Sequence, residues 1–196
     1  MFKSSKPISN TEYFAQSFWA CFNFDEHPLN PVPKGIARKI FRLWFYPRYS
    51  MPVYMRLAQY FYRRKTFGGK LFVFLAHYFR RRNEVRNNFE VNFNNAIAPG
   101  VVFHHTGVTI TAGTILETGV HVYNNVTLGS RNGGAPHVKK GAKLGSHSVI
   151  LGGITVGENS IVAPGAVLIT DVDDGMIAAG VPARIIGKAT ESQYNF

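Results

Sequence analysis

Leu144-Gly-Ser-His-Ser-Val-Ile150-Leu-Gly-Gly-Ile-Thr-Val156-Gly-Glu-Asn-Ser-Ile-Val162-Ala-Pro-Gly-Ala-Val-Leu168 is the stretch that decides the fold. An aliphatic residue returns at every sixth position: Leu144, Ile150, Val156, Val162, Leu168. A small residue often follows four places later, at Ser148, Ser160 and Ala166. Gly145, Gly157 and Ala163 come directly after an aliphatic. Three hexads make one triangular coil, with each aliphatic turned into the prism and each small residue at a corner. Coils then hydrogen-bond edge to edge, and each buries its neighbour's core. The fold class expected is mainly β, a parallel β-helix with a smaller helical region before it.

Working back along the chain, Val108, Thr114, Val120 and Val126 form an earlier set, with Ala112, Thr118 and Asn124 at the fourth offset. The step from Val126 to Val138 is twelve residues and keeps that phase, but Asn132 stands where an aliphatic belongs. The stretch 129–137 holds Gly133-Gly134 and Pro136, which are turn residues, so a projecting loop is expected. In a solenoid such an insertion commonly builds the binding face.

The N-terminal half has a different chemistry. Residues 34–86 carry 14 of the 22 Lys and Arg but one acid, Glu84, out of 11. Residues 1–34 read as loops with one short helix. Ile36, Ile40, Leu43 and Trp44 fall at helical spacing and Pro47 ends that run. Val53, Leu57, Tyr60 and Phe61 suggest a second helix, Gly68-Gly69 a break, and Leu71 to Arg82 a third helix. The expected division is 1–88 helical and basic, 89–188 β-helix, 189–196 tail. Two readings of the basic part stand side by side. One is a surface for anionic lipid at the inner face of a membrane. The other is a helical domain that packs on itself with a solvated basic rim.

Of the 196 residues 45% are hydrophobic, enough for a real core. A single cysteine, Cys21, excludes an internal disulfide framework. The N-terminus has no signal-like apolar run, and the longest such run, Leu71 to Ala76, is too short to span a bilayer. A cytoplasmic protein is expected, peripheral to a membrane at most. His121, His137 and His147 lack metal-ligand spacing with Asp, Glu or Cys, so no metal is expected.

Three motifs carry a family resemblance: Val-Thr-Leu-Gly at 126–129, the hexads to Leu168, and Gly-Val-Pro-Ala-Arg at 180–184 after Asp171-Val172. From Glu90 to Lys188 the chain resembles the hexapeptide-repeat acyltransferases, in the serine acetyltransferase-like branch. That branch includes serine acetyltransferases and capsule and colanic-acid O-acetyltransferases. The resemblance implies a left-handed β-helix, a homotrimer that leaves pairing of trimers open, and acetyl-CoA in the groove between adjacent prisms. It also implies an enzyme that transfers acetyl from acetyl-CoA to a hydroxyl.

Such a transfer needs a base to take the hydroxyl proton, and histidine suits it near neutral pH. His104 and His105 are the candidates. Fifteen positions beyond Glu90, where the family places an acid, is His105; three before Gly107, as in a His-x-Thr-Gly spelling, is His104. A Glu90–His105 pair is expected, with His104 beside the acceptor. The oxyanion donor is expected at the amide of Gly129 or Ser130. The pantetheine arm is expected along Gly145, Ser146, Gly152, Gly153, Ala163 and Pro164, and the coenzyme phosphates at Arg184 and Lys188.

For the acceptor, the typical serine enzyme has an Asp before its histidine and an Asp-Arg-His-Pro stretch. Here His104 and Gly133-Gly134-Ala135-Pro136 occupy those places, with Arg131 as a partial substitute. The expectation drawn is a saccharide acceptor of polysaccharide biosynthesis, with serine O-acetylation as the alternative. A basic nucleic-acid- or membrane-binding β-helix without catalysis is the alternative from another class. No nucleic-acid motif appears, so no nucleic-acid partner is expected.

Overall fold

The computed structural model describes residues 41 and 45–190. Cys21 and the run Ile36 to Trp44, apart from residue 41, lie outside the described residues, as does the tail beyond residue 190. Helix α1 is Pro47–Arg63 and helix α2 is Lys65–Asn87. Pro47 opens α1 instead of merely closing an earlier run, because its fixed φ suits a first helical position. Gly69, at φ 56° and ψ −144°, breaks α2 where a break is expected, but the helix then runs past Arg82 to Asn87. Asn88, in the left-handed conformation, turns the chain into the first strand.

The buried face of α1 is Met51, Met55, Ala58 and Gln59, while Val53, Leu57, Tyr60 and Phe61 are half-buried. The reason is tertiary. Met51 and Met55 join the core of the β-helix beside Phe89, Ile97 and Phe103, so α1 plugs its open end. The first coil has no coil below it, and Arg56 supplies donors its backbone would lack. The Arg56 guanidinium donates to the carbonyls of Ile97 at 2.7 Å and Ala98 at 3.0 Å. On α2, Leu71, Phe74, Tyr78 and Val85 remain exposed, with Lys70 and Arg81 among them. No helix among the described residues is long and apolar enough to cross a membrane.

From Phe89 the chain winds about five triangular turns. Strands β1 (Phe89–Val91), β4 (Val108–Ile110), β7 (Thr127–Gly129), β10 (Val149–Leu151) and β13 (Val167–Leu168) form sheet A. Sheet B holds β2 (Ala96–Ile97), β5 (Ile115–Leu116), β8 (His137–Val138) and β11 (Thr155–Val156). Sheet C holds β3 (Val102–Phe103), β6 (His121–Val122), β9 (Lys143–Leu144), β12 (Ile161–Val162) and β14 (Met176–Gly180), then β15 (Ala183–Lys188). All pairings are parallel except β14 with β15, an antiparallel hairpin at the C-terminal end. The expected β-helix with a helical N-terminal region is therefore present.

The register corrects the early part of the repeat. Residues turned into the prism are Ile97, Phe103, Ile110, Leu116, Val122, Leu128, Val138 and then the hexads from Leu144. Val108, Val120 and Val126 are buried too, but at the corner, two positions before. Thr127 pairs with Val149, so Val126 stacks on Ser148 and belongs to the column of small residues. The step across the loop is thus Leu128 to Val138, ten residues, not a phase-keeping twelve. Aliphatics at two buried positions per hexad are what made the phase ambiguous.

Partner numbering shows where the coils are irregular. Thr109 and Thr127 pair 18 residues apart, as three hexads require. Val102 and His121 are 19 apart, so the corner holding His104 and His105 has one extra residue. His121 and Lys143 are 22 apart, so the loop adds four.

Candidate active site at the histidine edge

The prism has three edges. Where sheet C passes into sheet A, the successive coils present His104-His105, then Tyr123-Asn124-Asn125, then Gly145-Ser146-His147, then Ala163-Pro164-Gly165. This is the histidine edge. Its first corner is held to the end of α2 by the Gly107 amide, which donates to the Asn88 carbonyl at 3.0 Å.

His104 is half-buried and doubly restrained. Its Nε2 lies 2.9 Å from Nδ1 of His121. Its ring lies flat on Tyr123, centroids 4.4 Å apart and planes 10° apart. His105 is exposed on the turn. Farther along the edge the Ser146 hydroxyl donates to Oδ1 of Asn124 at 2.6 Å. Nδ2 of Asn125 lies 3.3 Å from Nε2 of His147.

The expected Glu90–His105 pair does not form within the chain. Glu90 points out from β1 and meets Arg80 of α2 at 3.7 Å. Its strand partner is Thr109, four residues past His105 and on the other side of the corner. Arg80 also bonds Glu84 at 2.9 Å, so this acid belongs to the junction of helix and first coil.

The expected cofactor residues divide between two edges. Gly145, Ser146, Ala163 and Pro164 share the histidine edge. Gly129, Ser130, Arg131, Gly152 and Gly153 lie at the opposite margin of sheet A, where it passes into sheet B. There the loop is a tight hairpin: Arg131 and Gly134 exchange backbone bonds of 2.9 and 3.0 Å. Asn132 and Gly133 take φ of 52° and 79°, the left-handed pair that Asn-Gly supplies readily. The Ser130 hydroxyl, 2.9 Å from that of Thr111, anchors the hairpin to the coil below. Within one chain the hairpin does not reach the histidine edge. Arg184 and Lys188 are exposed on β15, and Arg184 bonds the carbonyl of Ala183 at 2.9 Å.

Gly145 has a further reason to be glycine. A Cβ there would lie 2.6 Å from the Pro164 nitrogen, so the residue lets two coils stack closely.

His121 and Tyr123 contact His104 on this edge and were not among the candidates read from the sequence. Their signal was present as coil spacing: His121 stands one coil beyond Val102, and Tyr123 one coil beyond His104. Reading it required knowing that this coil is 19 residues long. Lys143 is His121's partner in sheet C, and its burial lowers the ammonium pKa below the ordinary lysine value. A carboxylate–imidazole contact, His137 to Glu117 at 2.8 Å, lies away from this edge, and the Lys140 amide also holds Glu117 at 3.1 Å. Among the described residues no group of three or more His, Cys, Asp or Glu is placed to hold a metal ion.

Residues 135–170 match the family model "Bacterial transferase hexapeptide (six repeats)". The chain carries the bacterial transferase hexapeptide repeat. The chain is 40% identical over 97 residues to a putative serine acetyltransferase of Schizosaccharomyces pombe, covering 47% of this chain and 36% of that one. It is 35% identical over 114 residues to serine acetyltransferase of Escherichia coli K12, covering 55% and 42%. The chain therefore spans about two fifths of the length of these curated relatives. Among solved structures, serine acetyltransferase from Brucella abortus S19 superposes with a TM-score of 0.73 at 25% identity, over 92% of this chain and 74% of that one. A structure of the same Brucella enzyme in complex with coenzyme A gives 0.73 at 26%, over 92% and 72%.

These relatives overturn the expectation of a saccharide acceptor and of a part in polysaccharide biosynthesis. They are serine acetyltransferases, in line with the alternative reading. The inference from missing ion-pair groups failed for a physical reason. A free amino acid can be gripped by charges at other positions, so the loss of two local motifs does not define the acceptor.

Proposed function

We propose that this protein is an acetyl-CoA-dependent O-acetyltransferase whose acceptor is the hydroxyl of serine. The observation that carries the reading is the oriented histidine corner on a hexapeptide β-helix similar to serine acetyltransferases, one of them solved with coenzyme A. An imidazole of the His104-His105 corner takes the hydroxyl proton as the oxygen attacks the thioester carbon. The C–O bond forms, the C–S bond breaks, and the proton passes to the departing coenzyme thiolate. The amide of Gly129 or Ser130 serves the developing oxyanion, and the guanidinium of Arg131 the serine carboxylate. Arg184 and Lys188 serve the coenzyme phosphates.

The separation of the two edges supports a trimer in this reading. The hairpin of one copy would face the histidine edge of its neighbour, and the pantetheine arm would lie between them. No metal is needed for any step.

The test is thiol release from acetyl-CoA with purified full-length protein, with and without L-serine, and detection of O-acetylserine. Serine-dependent release is the expected result. Release that does not respond to serine sinks the acceptor assignment, and no release at all sinks the enzyme assignment. Mixing a His104→Ala/His105→Ala chain with an Arg131→Ala chain tests the shared site: at serine far below KM, activity of the mixture should exceed that of either variant alone.

A further inference from the structure

A general base works through a ring whose tautomer and direction are fixed by a second group. Glu90 does not supply that group, since it faces Arg80 at 3.7 Å. The bond that the edge does contain is the 2.9 Å contact between His104 Nε2 and His121 Nδ1. Tyr123 sets the plane of the His104 ring by stacking, 4.4 Å between centroids. The hydrogen bond sets its rotation within that plane. Two restraints of different kind thus converge on one imidazole, while His105 is exposed on the turn.

We infer that His121 is a positioning residue that sets His104, rather than His105, as the base. This rests on the acetyltransferase reading above. Two imidazoles share this contact with one proton between them. With Nε2–H of His104 donated to Nδ1 of His121, proton exchange with the acceptor hydroxyl falls to Nδ1 of His104. A charge gained there is shared along the hydrogen bond and then leaves with the proton passed to the coenzyme sulfur. The neighbours of His121 fit the acceptor role. Just past β3 it faces His104; on its own coil, Tyr123; on β9, its strand partner Lys143, a cation that disfavours a second positive charge one strand away. The carboxylate of a usual triad is thereby replaced by a neutral ring.

The experiment compares His121→Asn, whose side-chain amide retains an acceptor near the position of Nδ1, with His121→Phe, which keeps the ring and loses the acceptor. With acetyl-CoA and serine, His121→Phe is expected to lower kcat about 10- to 100-fold with KM for acetyl-CoA within about threefold, and His121→Asn to recover most of the loss. His104→Ala is expected to lose at least about 100-fold and His105→Ala less than about fivefold. Nitrogen-15 NMR of the imidazoles reads the same point without turnover. His104 should be a single Nε2–H tautomer in the parent and in His121→Asn, and mixed in His121→Phe. Active parent protein with a His121→Phe variant of unchanged kcat and tautomer overturns the inference, as does a His105→Ala loss equal to that of His104→Ala. A parent without any turnover overturns the functional reading instead, and with it the base assignment.

Discussion

The guanidinium of Arg56, on the first helix, donates to the carbonyl of Ile97 at 2.7 Å, across 41 residues of sequence. That bond and its neighbour to Ala98 join the helical pair to the first coil, at a site 7% exposed. Arg56→Met would keep the buried stem and strand two carbonyls. The expected cost is about 3 kcal/mol, since each buried acceptor left without a donor costs about 1–3 kcal/mol. Urea unfolding measures it, and a change under about 1 kcal/mol would refute this account of the junction.

Gly145 lets the third coil approach Ala163-Pro164 of the fourth, and a Cβ would meet the Pro164 nitrogen at 2.6 Å and the Val162 carbonyl oxygen at 2.8 Å. Gly145→Ala should destabilise by about 1–3 kcal/mol, as overpacking does. Gly187→Ala, where nothing lies within 4 Å, should be close to neutral. Equal melting temperatures for the two variants would contradict the stacking argument.

Lys143 is 6% exposed, and burial holds its pKa below the ordinary 10.5. The unfolded chain then binds more protons than the folded one between the lowered value and 10.5, so stability rises with pH across that window. Below it the full penalty of a buried ammonium remains. Lys143→Met should therefore be more stable than the parent at neutral pH, with the advantage shrinking as pH climbs toward 10.5. Chemical denaturation across that range gives the answer; an advantage that grows with pH would reverse the sign.

Arg131 stands exposed at the base of the Asn132-Gly133 turn, off the coil. If it meets the serine carboxylate, Arg131→Ala should raise KM for serine about tenfold, the equivalent of about 1.4 kcal/mol, and leave KM for acetyl-CoA alone. Steady-state kinetics in both substrates decides it. An unchanged KM for serine removes Arg131 from the site.

The repeat from Leu144 to Leu168 fixed a triangular coil by period alone, because only one residue in six can point down so narrow a prism. The histidine pair and the small residues at 145–146 and 163–164 were legible as candidates from motif and spacing. Three things were not. The phase of the early coils was hidden because corner and interior positions are both apolar, as Val126 and Leu128 show at 0% exposure each. The separation of the hairpin from the histidines depends on which sheet each turn follows, which coil length sets and local sequence does not. The partner of His104 lies 17 residues on, in the next coil, where an extra residue in the corner shifts the count. Sequence determined what each coil is made of. Stacking decided which coils' side chains meet, because a parallel β-helix brings residues together by whole turns, and one inserted residue moves every contact after it.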